Sequence, residues 1–351
     1  YEENMFKTII ADEADRLGNP FSKTTKAIKQ LRSEKRIAMT GTPIQNTPED
    51  LWSISDWLYP RYLGTFTQFQ KKYCKLHPTW GRVIGYQNLG QLRERIEPIM
   101  LRRLKEDVLK DFPAKTVEYI YFELSKEERE VYDAVRKTVI EEIKKMTDLD
   151  TRSLALIPVK MLRLRQATNH MKLIDAKAAE NISSSKVNVL KDLLIPVAKS
   201  GEKMIVFTEF AVMAHILKEE LSEYNPSVIW GGIDALERKN IVDQFTADSD
   251  MQVLIMTSAG TYGLNLQVAS YVCHFDSPWS VSKLEQREGR AHRIGQDKPV
   301  TAYHLIAKNT IDEHVIRILS GKRNMSDEIL GDGEVEKLTM GDIEEMLGEE
   351  V

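Results

Sequence analysis

Short apolar runs recur along this chain between longer amphipathic stretches, and they fall into two blocks. In the first block, residues 7–11 (KTIIA) form an apolar run ending in acidic residues, and residues 36–40 (RIAMT) form another ending at Gly41. Both predict buried parallel strands. Residues 22–34 read as a helix between them. Thr47-Pro48-Glu49-Asp50 joins a capping residue to a proline at the first helical position, so a helix is expected over about 48–58. Residues 60–112 are rich in aromatic and basic side chains and read as mostly helical. Residues 116–123 (TVEYIYFE) alternate as a strand does. Ser125-Lys126-Glu127-Glu128 caps a helix to about residue 146, a further helix covers about 153–172, and Ser183, Ser184 and Ser185 read as a linker.

The second block is more regular. Helices are expected at 186–199, 210–223, 235–246, 280–293 and 311–320, and strands at 203–207, 227–230, 252–256, 270–275 and 300–306. Such alternation implies a parallel sheet covered by helices on both faces. Asp234-Ala-Leu-Glu237 and Thr310-Ile-Asp-Glu313 are capping boxes that fix two helix starts. Residues 331–351 hold eight acidic residues and one lysine and read as a short helix or an acidic tail.

The 351 residues suffice for roughly two domains, and the 42% hydrophobic, 29% charged composition is that of a globular protein. The net charge of −4 gives no global nucleic-acid signal, so any such binding has to come from local patches. Cys74 and Cys273 form neither a disulfide framework nor a metal motif, which fits a reducing, intracellular compartment. No apolar stretch approaches the ~20 residues of a membrane helix.

Four strings carry chemistry. Asp12-Glu13-Ala14-Asp15 follows a strand directly, where ligands bind in open α/β sheets. There Asp12 suits a magnesium ion held through water, and Glu13 suits the orientation or deprotonation of an attacking water. A solvated acidic loop reads the same way. Thr40-Gly41-Thr42-Pro43-Ile44-Gln45-Asn46 follows the second strand, with small and hydroxyl residues that allow close approach to a phosphate, or that form a plain turn. Thr257-Ser258-Ala259-Gly260-Thr261-Tyr262-Gly263-Leu264-Asn265-Leu266 offers backbone donors to an anion, either a DNA phosphate or a nucleotide. A glycine-rich connection is the alternative. Finally, Gln286, Arg290 and Arg293 are spaced i, i+4, i+7 and fall on one face if the helix continues, with Gly295 as its cap. Two permanently charged, fork-shaped guanidinium groups on one stripe suit a triphosphate better than a core.

The order and wording of these strings resemble the Swi/Snf-type ATPases of helicase superfamily two. ADEADRLGN (11–19), MTGTPIQN (39–46), MLRRLKEDV (100–108), LRQATNH (164–170), TSAGTYGLNL (257–266), FDSPWS (275–280) and QREGRAHRIGQ (286–296) carry the resemblance. It extends from residue 7 to about 320.

The resemblance implies two RecA-like lobes that close on ATP and move along double-stranded DNA. It implies that Asp12 and Glu13 are the magnesium-binding and water-activating acids, and that Thr40, Gly41, Thr42 and Pro43 couple hydrolysis to DNA. Arg290 and Arg293 match the arginine fingers, and Gln286 the leading glutamine of that motif. Gly260, Gly263 and Asn265 match the loop linking nucleotide to DNA track, with Thr257 and Ser258 at its start. Trp279 matches a position near the DNA, although a core tryptophan fits as well. Arg102, Arg103 and Lys105 match a basic stretch for which packing and salt bridges are the stronger reading.

The implied division is lobe one over 1–58 and 92–122, helical protrusions over 59–91 and 123–182, lobe two over 183–322, and an acidic tail over 323–351. The implied partners are ATP, Mg2+, double-stranded DNA, and protein–DNA complexes such as nucleosomes. The implied location is intracellular: the nucleus if the source is eukaryotic, the cytoplasm or nucleoid if it is bacterial or viral. Departures exist: Asp15 spells the acid box as RNA-helicase relatives do, and Tyr262 is bulky for its loop. No G-x-x-x-x-G-K-[ST] phosphate loop occurs. The chain is therefore expected to lack the first half of lobe one and to be inactive alone. A non-catalytic DNA-binding module that keeps the motor fold is the competing reading.

Overall fold

The computed structural model describes residues 6–44, 47–76, 83–103, 112–144, 151–175, 182–258 and 264–330. They divide into two compact units: the first takes the described residues to Arg102, Ser280–Ser282 and the last helix from Ile318, and the second takes Arg103–Trp279 and Lys283–Arg317.

The first unit comprises β1 (Phe6–Asp12), α1 (Lys23–Gln30), β2 (Ser33–Met39), α2 (Pro48–Leu58), α3 (Phe66–Tyr73), β3 (Cys74–Leu76), β4 (Val83–Tyr86) and α4 (Leu89–Ile96). β1 and β2 pair in parallel, with Ile10 opposite Ile37 and Asp12 opposite Met39. α2 starts as its sequence requires, with a capping box between Thr47 and Asp50 and Pro48 in the first turn. One face of the small sheet places Ile9, Ala11 and Ala38 against Ala14, Leu17, Ile54 and Trp57. The other face is bare, with Ile10 57% and Met39 46% exposed. The two strands expected to be buried are therefore covered on one side only.

The expectation of mostly helix over 60–112 needs correction. β3 and β4 form an antiparallel hairpin, with Cys74 opposite Tyr86. Both residues point into a cluster with Trp52, Phe69, Tyr73, Leu92 and Ile96. Burial in this aromatic cluster outweighs the helical tendency of the flanking residues.

The second unit comprises β5 (Lys115–Phe122), α5 (Lys126–Lys144), α6 (Thr151–Asn169), α7 (Ser185–Lys199), β6 (Met204–Thr208), α8 (Ala211–Glu220), β7 (Ser227–Ile229), α9 (Ala235–Ala247), β8 (Val253–Thr257), β9 (Tyr271–His274), α10 (Val281–Glu288) from Lys283, β10 (Val300–Ala307) and the start of α11 (Ile311–Leu330), to Arg317. Its strands form one sheet in the order β5-β10-β9-β6-β8-β7. All neighbours are parallel. β6 (MIVFT) and β8 (VLIMT) are buried at every position, as expected of central strands covered on both faces. Phe207, Ile229, Phe245, Leu254, Val272 and Ala302 anchor the core.

Three expected boundaries move. β5, expected in the first lobe, pairs with β10 from Lys115 opposite Val300 to Phe122 opposite Ala307. It is an edge strand of the second unit. α5 and α6, expected as protrusion and linker, are tied into the same unit. Ile311 donates its N–H to the Tyr132 hydroxyl at 2.9 Å. Lys186, fully buried, donates to Asn169 Oδ1 at 3.1 Å and to Asp312 Oδ2 at 2.7 Å. A buried ammonium is tolerated only with such partners, so α6, α7 and α11 are joined there. Lastly, α11 reaches Leu330 rather than about 320. The expected acidic tail over 331–351 lies outside the described residues.

Trp57 is fully buried in the first unit's core. Trp57→Ala should destabilise that unit by about 3–5 kcal/mol. Urea unfolding followed by peptide-resolved hydrogen exchange measures this. A loss below about 1 kcal/mol would contradict the packing described.

Candidate functional site

In the first unit, the acid string leaves the carboxyl end of β1. Asp12 is exposed and its Oδ1 accepts the Glu13 N–H at 3.0 Å. Glu13 adopts a left-handed backbone, φ 49, before a short 3-10 turn over Ala14–Leu17. Asp15 is buried, and burial, with the Glu13 carboxylate next, raises its pKa above the ordinary value. Thr40 donates its hydroxyl to Asp15 Oδ1 at 3.4 Å and accepts the Thr42 N–H at 3.1 Å. The acid string and the Thr40–Pro43 string thus meet through Asp15 and Thr40, with Gly41 exposed and Pro43 half-buried. Gln45 and Asn46 lie outside the described residues.

In the second unit, α10 stops at Glu288, so Gln286, Arg290 and Arg293 do not share one continuous helical face. This corrects the expected stripe. The Gly289 N–H still reaches the Glu285 carbonyl at 2.8 Å, but the Arg290 N–H bonds only three residues back, to Arg287 at 3.2 Å. A Cβ at Gly289 would lie 2.9 Å from the Glu285 carbonyl oxygen, so only glycine fits the exit. Gly295, φ 99, reverses the chain seven residues beyond the helix rather than capping it.

The arginines therefore stand on a turn over residues 289–296. Arg293, exposed, donates to Asn265 Oδ1 at 2.7 Å, and Arg290 donates to the Leu264 carbonyl at 3.5 Å. The Leu266 N–H bonds the Arg290 carbonyl at 3.0 Å. The arginine string and the far end of the 257–266 loop are thus brought together. Gly260 and Gly263 lie outside the described residues, as does Lys105. Gln286 is half-buried on α10, and Arg102 and Arg103 are exposed.

Thr257 ends β8 and is buried. Ser258 donates to Glu209 Oε1 at 2.5 Å. Arg287, fully buried, donates to the same carboxylate, to Ser258 Oγ at 3.0 Å and to the Asp276 carbonyl at 3.0 Å. Burial alone would raise the pKa of Glu209, but the Arg287 guanidinium, the Ser258 hydroxyl and the charges of Lys283 and Arg165 together hold that carboxyl below its ordinary value. Trp279 is half-buried and carries the Arg165 guanidinium 5.5 Å from its ring centre. A cleft of about 760 Å³ beside Ser258 is lined by Glu209, Trp230, Gly231, Gly232, Thr257 and Lys283.

Arg287, Glu209, Asp276 and Gln296 escaped the sequence reading. The only signal for Arg287 was a charged residue inside an otherwise explained string. Gln296 closes the turn: its amide nitrogen donates to the carbonyls of Gln267 (2.9 Å), Ala269 (3.0 Å) and Ala291 (3.2 Å). Its amide oxygen accepts from Asp297 and Lys298, each at 3.0 Å.

Comparison with known families gives a match to the SNF2-related domain over residues 1–173 and to the helicase conserved C-terminal domain over residues 185–295. The chain belongs to the Swi/Snf-type ATPases. An uncharacterized ATP-dependent helicase of Mycoplasma genitalium is 32% identical over 92% of this Swi/Snf chain, which spans 30% of that relative's length. Human chromodomain-helicase-DNA-binding protein 1 is 32% identical over 88% of the chain, which spans 18% of that protein. The Sulfolobus solfataricus SWI2/SNF2 ATPase core in complex with dsDNA covers the whole chain at 29% identity and TM-score 0.56, and the chain covers 74% of it. The α/β fold with its six-stranded parallel sheet is thus the RecA-like fold of Swi/Snf cores. Among the described residues of this Swi/Snf chain, no helix is long and apolar enough to cross a membrane.

Replacing Gln296 by leucine leaves buried carbonyl groups without their donor. The expected loss is about 2–4 kcal/mol in urea unfolding. An unchanged midpoint would show that the amide does not hold the turn. A pH dependence follows from His274 and His170, whose pKa values burial lowers below the ordinary 6.5. Both take up protons less readily in the fold than in the unfolded chain, so stability falls as pH drops below about 6.5. Thermal melting from pH 7.5 to 5.5 should show a declining midpoint, and His274→Gln should flatten the decline.

Proposed function

We propose that this chain works in an ATP-driven translocase that moves on double-stranded DNA and displaces or remodels proteins bound there, nucleosomes among the candidates. The observation that carries the reading is the arginine turn. Arg290 and Arg293 stand on a segment fixed by Gln296 and joined to Asn265, instead of on a solvated helix end. A rigid display of two guanidinium groups favours charge stabilisation on a transferring phosphoryl group. Support for DNA comes from the archaeal Swi/Snf core, whose structure holds dsDNA. Support for chromatin comes from the human relative, named a chromodomain-helicase-DNA-binding protein.

In this reading Arg290 and Arg293 bind the triphosphate and stabilise charge that develops during its cleavage. Glu13 orients the attacking water and receives its proton. Asp12 fits a magnesium site: it is an exposed carboxylate at the carboxyl end of a parallel strand, and magnesium favours oxygen donors while keeping several waters. When bound, the ion would neutralise phosphate charge. Thr40, Gly41, Thr42 and Pro43, with Thr257, Ser258 and Trp279, carry the coupling to DNA. Gln286, Gly260, Gly263 and Asn265 complete the nucleotide side. The chain alone turns over ATP slowly or not at all, because it contains no phosphate-loop string to hold the triphosphate.

ATP hydrolysis measured with and without duplex DNA tests this. In this chain joined to an upstream segment that carries a phosphate loop, DNA should stimulate turnover, and Arg293→Ala should lower kcat by about 10³-fold. Absence of DNA stimulation in that protein would remove the translocase reading in favour of a binding module.

A further inference from the structure

Glu288 is the last residue of α10, and its carboxylate is buried in the second unit. Both facts argue against a glutamate here. A helix carboxyl end repels negative charge, and a buried carboxylate is costly without partners. Adjacent strands of the sheet supply the partners. Lys115, which opens β5, places its Nζ 2.5 Å from Oε2. His274 of β9 and His304 of β10 stand opposite one another in register, with their Nε2 atoms 3.6 and 3.9 Å from Oε1. Burial alone would raise the pKa of Glu288. The His274 contact and the Lys115 ammonium reverse this and hold the carboxyl well below its ordinary range.

These ligand-type atoms lie within 4.8 Å of one another, a spacing a metal ion could bridge. The ring geometry opposes that use. The two imidazoles stack with centroids 4.5 Å apart and planes 26° apart, so their in-plane lone pairs do not converge on one point. Lys115 also occupies the other carboxylate oxygen. The cluster is a charge clamp on the end of α10.

The clamped residue is also where the arginine turn begins. The Glu288 carbonyl accepts the N–H groups of Ala291 at 3.2 Å and His292 at 2.9 Å. His292 then joins the segment before Lys115, with its Nε2 2.8 Å from the Pro113 carbonyl and its ring 4.3 Å from that of Phe112. Residues 112–115 therefore grip the turn twice, through a side chain on each side of Arg290.

We infer that Glu288 is a positioning residue for Arg290 and Arg293, locked to the edge of the sheet by Lys115. The functional half of this inference rests on the reading that those arginines act on ATP. The structural half is tested on this chain by hydrogen exchange. In Lys115→Met and in Glu288→Gln, the peptide covering 289–296 should exchange at least about 10-fold faster, while peptides covering β6 and β8 keep their wild-type rates. Lys115→Arg should restore protection. Lys115 is partly exposed, so its variants carry the test if Glu288→Gln does not fold. Unchanged exchange over 289–296 in a folded Lys115→Met variant would overturn the inference. In the chain joined to a segment that carries a phosphate loop, Lys115→Met should lower kcat by about 10-fold or more, with KM for ATP within about 2-fold. Faster exchange with unaltered turnover would uphold the clamp and overturn the assignment of the arginines to ATP.

Discussion

Asp276 lies just beyond β9 with its carboxylate buried, and four donors converge on it. Oδ2 accepts from the Thr208 hydroxyl at 2.5 Å and the Asn169 amide at 2.9 Å, and Oδ1 accepts from the Glu209 N–H at 2.8 Å. Arg165 lies 3.5 Å from Oδ1 and donates to the Ser277 carbonyl at 2.5 Å. Thr208 ends β6 and Glu209 follows it, whereas Arg165 and Asn169 lie on α6. An uncompensated charge in this interior would be prohibitive, so the end of the sheet and the preceding helix keep one mutual arrangement. This constraint explains why α6 belongs to the second unit and is not a detachable linker.

Everything chemical in that unit hangs from the same point. The Asp276 carbonyl takes Arg287, and Arg287 binds Glu209 and Ser258. Ser258 is the last described residue before the glycine-containing loop, and Arg287 lies three residues before Arg290. Buried, charge-assisted bonds are stronger and more directional than neutral ones. A displacement of the loop after β8 therefore has a stiff route to the start of the arginine turn. The route is physical contact between named groups.

Sequence pattern reached the second unit's strands closely because its signal is strong there. Runs such as MIVFT and VLIMT, buried at every position, are hard to place anywhere but mid-sheet. β5 was read as a strand from its alternation, but its sheet was misjudged. Period-two patterning reports a half-covered strand and says nothing about its neighbour. The hairpin of β3 and β4 is not announced by its own residues because Cys74 and Tyr86 are buried in a cluster that includes Trp52, from a helix well before them in the chain. The arginine stripe misled for a related reason. Spacing of i, i+4, i+7 presumes a continuing helix, and Gly289 was a visible warning of its end. The acids and arginines themselves were legible because their chemistry restricts residue type, whereas Glu288, Arg287 and Gln296 serve through burial, which single residues do not announce.

The two halves of the candidate machinery are held in opposite physical ways. The arginines stand on a turn whose ends are sunk into buried carboxylate and amide partners. The acid pair stands at an exposed strand end, and its restraint is local: Asp12 holds the Glu13 N–H, and the Glu13 carbonyl accepts Arg16 at 3.2 Å. Within that frame Glu13 sits at φ 49, a conformation that costs a non-glycine residue about 1–2 kcal/mol. Packing does not explain the strain, since the large buried side chains nearby, Leu17, Ile54 and Trp57, lie beneath the sheet. The left-handed residue joins the end of β1 to the 3-10 turn over Ala14–Leu17. In an extended strand, neighbouring side chains alternate faces by default; at a strand end that bends into a 3-10 turn they would follow the turn. Glu13 is where one pattern gives way to the other: before it Asp12 stays exposed at the strand end, and beyond it Asp15 is buried against Thr40.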